Sequence, residues 1–195
     1  CLTVNGQRIY FIEGKNPSEI NYNKYEINDA LLIDNSGAFT DKDSLSNHLE
    51  SIGISKVLLT APGKGIPNIV YGINSKQLDI ENSKIVSAAS CTTNCIAPVL
   101  HVIESEYGIS SGHLETVHSY TNDQNLIDNM HKKARRGRSA AINMVITTTG
   151  AGKAVTKVIP SLEGKLTANA VRVPTPNVSL AILKLKLKKK TSVND

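Results

Sequence analysis

The 195-residue chain has no run of about 18 apolar residues, so no segment of it reads as a membrane-spanning helix. No basic stretch followed by an apolar one opens it, so no secretory signal is read. Its three cysteines are an odd number, which argues against a disulfide framework and suits free thiols in a reducing compartment. Only 4% of its residues are aromatic, too few for the stacking that holds single-stranded nucleic acid. No G-x-G-x-x-G follows a first strand, and no acidic ribose anchor closes a second one. Pro62-Gly63-Lys64-Gly65 and Gly150-Ala151-Gly152-Lys153 lack the glycine spacing, and the Ser or Thr after Lys, that a Walker A loop needs. The chain starts at Cys1 rather than Met, and its last five residues form no recognisable ending. It therefore reads as an internal piece of a longer protein.

What is present is enough for a core. At 40% hydrophobic, the chain can hold one large or two small domains. Its net charge is +5 with a pI near 9.1. Much of that excess sits in 132–138 and 184–190, and it is read as a solvated face plus anion-binding residues. Nucleic acid is the less favoured partner.

Leu2-Thr3-Val4, the turn Asn5-Gly6 and Ile9-Tyr10-Phe11-Ile12 read as a hairpin with a type I′ turn. Ala30-Leu31-Leu32-Ile33-Asp34 and Lys56-Val57-Leu58-Leu59-Thr60 are continuous apolar runs of the kind buried in parallel sheets, and Ile85-Val86-Ser87 is a shorter one. Between the first two, 42–52 carries helical spacing through Leu45, Leu49 and Ile52. Strand, helix and strand in this order predict the later part of a doubly wound α/β sheet. From Cys91 the texture changes. A helix is predicted to about Tyr107, with Pro98 in its first turn or kinking it. Alternating segments follow at 114–120, 166–173 and 178–187, with a long polar excursion at 122–139 and a helix over 151–159 stopped by Pro160. This half predicts an α+β domain with an antiparallel sheet.

The chain is organised around Ser90-Cys91-Thr92-Thr93-Asn94-Cys95, at a strand-to-helix junction. A thiolate there gains from the helix dipole and free N–H groups, and the hydroxyl neighbours can hold an anionic oxygen. His118, in an alternating segment 27 residues on, is a candidate base; together they sketch a thiol-acylating site. Read alone, Cys91 is more readily a small packed residue and His118 a satisfied strand histidine, and it is the surrounding motifs that reverse this for Cys91. Cys95, one turn later, is read as packing. His48, His101, His113 and His131 are read as histidines without a catalytic part. Cys91, Cys95 and His118 lack the fourth ligand and the clustering of a zinc site, so no metal is assigned.

Four blocks resemble the phosphorylating glyceraldehyde-3-phosphate dehydrogenase family, in its order and at about its spacings. They are Ser90-Cys91-Thr92-Thr93-Asn94-Cys95, Thr116-Val117-His118-Ser119-Tyr120-Thr121, Thr149-Gly150-Ala151-Gly152-Lys153-Ala154-Val155 and Arg172-Val173-Pro174-Thr175-Pro176-Asn177-Val178-Ser179. The likeness reaches back through Ile33-Asp34-Asn35-Ser36-Gly37-Ala38-Phe39-Thr40 to Asn5-Gly6. It implies that 1–90 is the C-terminal part of a dinucleotide-binding domain whose phosphate-binding fingerprint is missing, and that 91–195 is an incomplete catalytic domain. It makes Cys91 the nucleophile and His118 the base. Ser90, Thr92, Thr149 and Gly150 would bind the attacking phosphate. Thr121 and Arg172 would bind the substrate's terminal phosphate, assisted by Arg135 or Arg138. Asn35, Ser36, Gly37 and Thr60 would contact NAD, with NADP as the alternative. The sequence departs from the family at Asn35-Ser36, where Ser-Thr is common, and at Asn122-Asp123.

The implied protein is a cytoplasmic, glycolytic homotetramer acting on a phosphorylated aldehyde and inorganic phosphate, with 122–139 lining its subunit interfaces. The piece by itself is expected to be inactive. The rival readings are erythrose-4-phosphate dehydrogenase, a Cys/His hydrolase and a basic RNA-binding protein. A hydrolase would release acid without nicotinamide, and an RNA binder would keep its affinity after Cys91 is blocked.

Overall fold

A computed structural model describes residues 1–79 and 81–193. The chain divides into two compact units, Cys1–Ser90 and Cys91–Asp195.

In the first unit β1 (Leu2–Val4) and β2 (Gln7–Ile9) form an antiparallel hairpin. Asn5 and Gly6 both adopt positive φ, at 48° and 78°, as a type I′ turn requires. The second strand stops at Ile9 rather than continuing to Ile12. Tyr10 turns to pack on Tyr25 at 5.1 Å, and Phe11 is exposed. The three-stranded sheet has the order β3 (Ala30–Asp34), β4 (Ile54–Leu59), β5 (Ile85–Ser87), and every pair in it is parallel.

Helix α1 (Lys42–Ser46) is shorter than the spacing predicts. Asp41 caps it by accepting from the Ser44 N–H at 2.9 Å, but Ser46 Oγ donates back to the Lys42 carbonyl, and the chain leaves helical geometry in turns. Its Leu45 is fully buried with Val57, Leu59 and Ile85, and Leu32, Phe39 and Ile66 pack around them. Each such buried aliphatic side chain contributes about 1.5–3 kcal/mol. Only one face of β3 is covered. Leu31 and Ile33 are 53% and 58% exposed, so the run is not buried on both sides as its composition predicts.

The second unit opens with α2 (Cys91–Glu106), which buries Thr93, Ile96, Ala97 and Leu100 at helical spacing. Pro98 lies in the helix interior on the exposed side, beyond the first turn. Gly108, at φ 67°, ends the helix, and its N–H donates to the Glu104 carbonyl. The Glu104 carboxylate then accepts from the Ile109 N–H and from Lys165 Nζ at 3.0 Å, fastening the helix end to the following strand.

The sheet has the order β7 (Val145–Thr147), β8 (Leu166–Val173), β6 (Ile109–Ser119), β9 (Leu180–Leu187). Both edge pairs are antiparallel, as the alternation predicts, but the central pair β6 and β8 is parallel. That crossover is possible because the loop 120–144, β7 and α3 (Ala151–Val158) lie between the two strands in sequence. Gly152 lets α3 approach β8 closely, since a Cβ there would lie 3.2 Å from that of Ala168. Leu114 and Thr116 point to the buried face of β6. The opposite face carries a cross-strand row, Ile146, Val171, Val117 and Leu180, with Ile146 61% and Leu180 58% exposed. On β9, Lys184 and Lys186 stand opposite His113 and Ser111.

Candidate active site

Cys91 is the first residue of α2, and its Sγ is exposed to solvent. His118, near the end of β6, places Nε2 3.8 Å from that sulfur. The imidazole's other nitrogen, Nδ1, lies 2.6 Å from the Ser119 carbonyl, which can only accept. The proton of neutral His118 is therefore on Nδ1, and Nε2 presents a lone pair to the thiol. The Ser119 carbonyl also accepts from Arg172 Nη1 at 3.1 Å. Parallel pairing brings this about, because His118 on β6 and Arg172 on β8 are register partners.

Arg172 also donates to Thr121 Oγ1 at 2.9 Å, and the Thr121 hydroxyl donates onward to Asp123 at 2.7 Å. Asp123 accepts an ion pair from Arg172 Nη2 at 3.6 Å and another from Arg136 Nη1. Burial pushes the Asp123 carboxyl up, but Thr121, Arg172, Arg136 and Lys133 outweigh it and hold it below the usual carboxylate value. Burial lowers the Arg172 guanidinium against the pull of Asp123, and arginine stays charged regardless.

Neither Asp123 nor Arg136 stands out in the sequence. Asp123 appears there only as a departure from a motif, and Arg136 is one of several basic residues in a row. The arginine that joins Arg172 at Asp123 is Arg136, and Arg135 and Arg138 make other contacts. Arg135 is exposed with its guanidinium 3.4 Å from the Ile146 carbonyl, and Arg138 pairs with Asp128 at 3.1 Å. Arg136 is buried because the single 3₁₀ turn at Ala134–Gly137 points it inward, onto Thr147 Oγ1 and the Thr148 carbonyl. Gly137 permits that turn, since a Cβ there would meet the Asn129 carbonyl at 2.3 Å.

A cavity of about 320 Å³ lies beside the thiol, lined by Cys91, Thr92, His118, Thr121, Ser179 and Leu180 among others. Cys95 is exposed and lines this cavity rather than packing in the core, because the buried stripe of α2 runs through Thr93, Ile96, Ala97 and Leu100. Thr149 and Gly150 stand at the head of α3. Thr149 Oγ1 accepts from the Ala151 N–H, and the space around Gly150 is open. Ser90 closes the first unit. Among the described residues, no group of three His, Cys, Asp or Glu side chains can hold a metal ion. No helix among them is long and apolar enough to cross a membrane.

The four residues predicted to meet the cofactor lie in the first unit, at the carboxyl ends of two adjacent parallel strands. Asn35, Ser36 and Gly37 follow β3, and Thr60 follows β4. All four are exposed, and a Cβ built at Gly37 meets nothing within 4 Å. Exposed polar turns over the carboxyl ends of parallel strands fit one side of a dinucleotide.

A family described as "Glyceraldehyde 3-phosphate dehydrogenase, C-terminal domain" matches residues 90–195. A "Glyceraldehyde-3-phosphate dehydrogenase-like protein" of Pseudomonas aeruginosa is 58% identical over 192 residues, 98% of this chain and 41% of the relative. "Glyceraldehyde-3-phosphate dehydrogenase 2" of Bacillus subtilis is 47% identical over 96% of this chain and 54% of its own length. The chloroplastic "Glyceraldehyde-3-phosphate dehydrogenase A" of Zea mays is 46% identical over 98% and 47%. The chain thus spans about half the length of the curated relatives it matches. With that family's catalytic-domain signature covering residues 90–195 and the likeness continuing through the first unit, the chain belongs to the glyceraldehyde-3-phosphate dehydrogenase family.

Proposed function

We propose that this chain serves a phosphorylating dehydrogenase that converts glyceraldehyde 3-phosphate, inorganic phosphate and NAD to 1,3-bisphosphoglycerate and NADH, in cytoplasmic glycolysis. Residues 1–90 are the later part of its dinucleotide-binding domain, and 91–195 belong to its catalytic domain. The observation that carries this reading is the shared acceptor at Ser119. One carbonyl orients the base toward the thiol and steadies the arginine suited to the substrate's phosphate.

The chemistry follows from these atoms. His118 Nε2 takes the Cys91 proton, and the sulfur attacks the aldehyde carbon to form a C–S bond. The carbonyl oxygen becomes an oxyanion that accepts from the new Nε2–H, giving a hemithioacetal. NAD, when bound, supplies the hydride acceptor for that carbon, and Asn35, Ser36, Gly37 and Thr60 would hold it. As the carbon becomes a thioester, His118 takes the proton from the hemithioacetal oxygen. A phosphate oxygen then attacks the thioester, the C–S bond breaks, and the acyl phosphate leaves with the Cys91 thiolate restored.

Thr121 and Arg172 hold the terminal phosphate in this scheme. Arg136 supports them through Asp123. Ser90, Thr92, Thr149 and Gly150 receive the attacking phosphate, where hydroxyls and a helix start favour an anion. A homotetramer suits the apolar row Ile146, Val171, Val117 and Leu180, half-buried at its centre and exposed at Ile146 and Leu180, a face of the kind buried between subunits.

The last step can be run backwards without nucleotide. An acyl phosphate should transfer its acyl group to Cys91 and release phosphate, and intact-protein and peptide mass spectrometry would detect the thioester. Cys91→Ser should remove that mass shift. Acylation at Cys95, or no thioester at all, would overturn the reading. Rapid release of free acid with no phosphorolysis would favour the Cys/His hydrolase.

A further inference from the structure

A second polar network lies in the first unit. The Asp34 side chain, at the carboxyl end of β3, is only 2% exposed. Its Oδ1 accepts from the Ser36 N–H at 2.8 Å and from Ser36 Oγ at 2.7 Å. Ser36 Oγ in turn accepts from the Ala38 N–H at 3.2 Å. Asp34 Oδ2 accepts from His48 Nε2 at 3.1 Å. The Phe39 ring stands edge-on to the imidazole with centroids 5.2 Å apart. The Asp34 carbonyl is also taken, by the N–H and hydroxyl of Thr60. Burial pushes the Asp34 carboxyl up, but the Ser36 and His48 contacts outweigh it and keep it below its ordinary value, so Asp34 is a carboxylate at neutral pH.

We propose that His48 is a positioning residue for the turn Asn35-Ser36-Gly37, acting through Asp34. That the turn meets the cofactor rests on the function proposed above. The direction of the contacts supports the assignment. Among the described residues the His48 ring bonds to one side chain only, and that side chain's other oxygen holds the turn. Its remaining nitrogen, Nδ1, is buried and has no partner among the described residues. A buried imidazole with half its hydrogen-bonding capacity unused is a poor choice for packing alone, because the orphaned nitrogen loses its hydration for nothing. What the ring does supply is a donor to a buried carboxylate oxygen that would otherwise have none. With Oδ2 fixed, Oδ1 is aimed at Ser36 and the turn has one conformation. With Oδ2 released, the carboxylate rotates toward water and takes the Ser36 bonds with it.

The test uses the 195-residue chain labelled with nitrogen-15, as wild type, His48→Leu and His48→Gln. Glutamine keeps an N–H donor for Asp34 and leucine does not. In His48→Leu, backbone order parameters of 35–37 should fall from about 0.85 to below about 0.6, while those of β4 stay high. Millimolar NAD, followed through the amide shifts of the same turn, should bind about 10- to 100-fold more weakly in His48→Leu, the effect of losing one charge-assisted hydrogen bond. His48→Gln should recover both. A rigid turn in His48→Leu would overturn the proposal, and so would loosening that spreads through β4 or that glutamine fails to rescue. If wild-type turn amides ignore NAD while the order parameters behave as expected, the cofactor reading falls and the tether stands. If His48→Leu does not fold, Asp34→Asn with His48 intact decides the matter, since the amide keeps one acceptor oxygen instead of two and the turn should loosen.

Discussion

Arg172→Ala is the sharpest probe of the proposed chemistry. The Arg172 side chain is 12% exposed, and its guanidinium is bonded to Ser119 and Thr121 and paired at 3.6 Å with Asp123. If it grips the terminal phosphate, that remote contact holds the acyl carbon against Cys91. Losing a charge-assisted hydrogen bond costs about 1.5–3 kcal/mol, which is roughly 10- to 150-fold in rate at about 1.4 kcal/mol per tenfold. The assay measures acylation of Cys91 by two donors, 1,3-bisphosphoglycerate and acetyl phosphate, which lacks the terminal phosphate. The variant should lose that factor with the first donor and little with the second, at an unchanged fold by circular dichroism. Arg172→Lys keeps a charge without the fork and should fall between. Equal losses with both donors would refute the argument, since Arg172 would then support the fold or the attacking phosphate. No loss with either would make it a charge without a substrate.

Two further outcomes are expected. Iodoacetamide should modify Cys91 faster than Cys95 although both are exposed, and His118→Ala should slow Cys91 alone, as peptide mass mapping would report; faster labelling of Cys95 would contradict the site. Glu104→Ala strips the acceptor from the buried Ile109 N–H, a loss of about 1–3 kcal/mol, and should lower Tm by roughly 3–10 °C, more than Glu104→Gln does. Burial raises the Glu104 carboxyl, but Ile109, Lys165 and Ser161 outweigh it and leave it below its ordinary value. The wild-type advantage over Glu104→Gln is therefore complete above the unfolded value of about 4.3 and should fade as pH falls through the lower folded one. A gap that does not change with pH would remove Glu104 from the account.

Much of this molecule is legible in its sequence because the signals are local. β3 and β8 end where the apolar or alternating runs at 30–34 and 166–173 end, and α2 begins at the cysteine of the junction. Whatever depends on partners distant in sequence is not legible. β7 is three residues long, too short to show an alternation, yet it sets one edge of the sheet. The parallel centre follows from a connection whose path no periodicity records. Arg135, Arg136 and Arg138 are chemically alike, and only the turn that buries one of them separates it from its neighbours. Cys95 looks like a packing residue by type, but the helix phase that buries Ile96 turns it outward.

The three-stranded and four-stranded sheets differ at their margins, and this bears on handling the protein at high concentration. In the second unit one margin is the very short β7, and the other, β9, carries Lys184 and Lys186. Two copies meeting along β9 would bring lysine against lysine, so repulsion works against fibril-like stacking there. In the first unit, β3 is an edge among the described strands of this 195-residue chain, beside exposed Leu31 and Ile33, with no charge between Ala30 and Ile33. Colloidal instability should therefore begin at β3, and a lysine placed at 31 or 33 is the change that would let concentrated solutions stay clear.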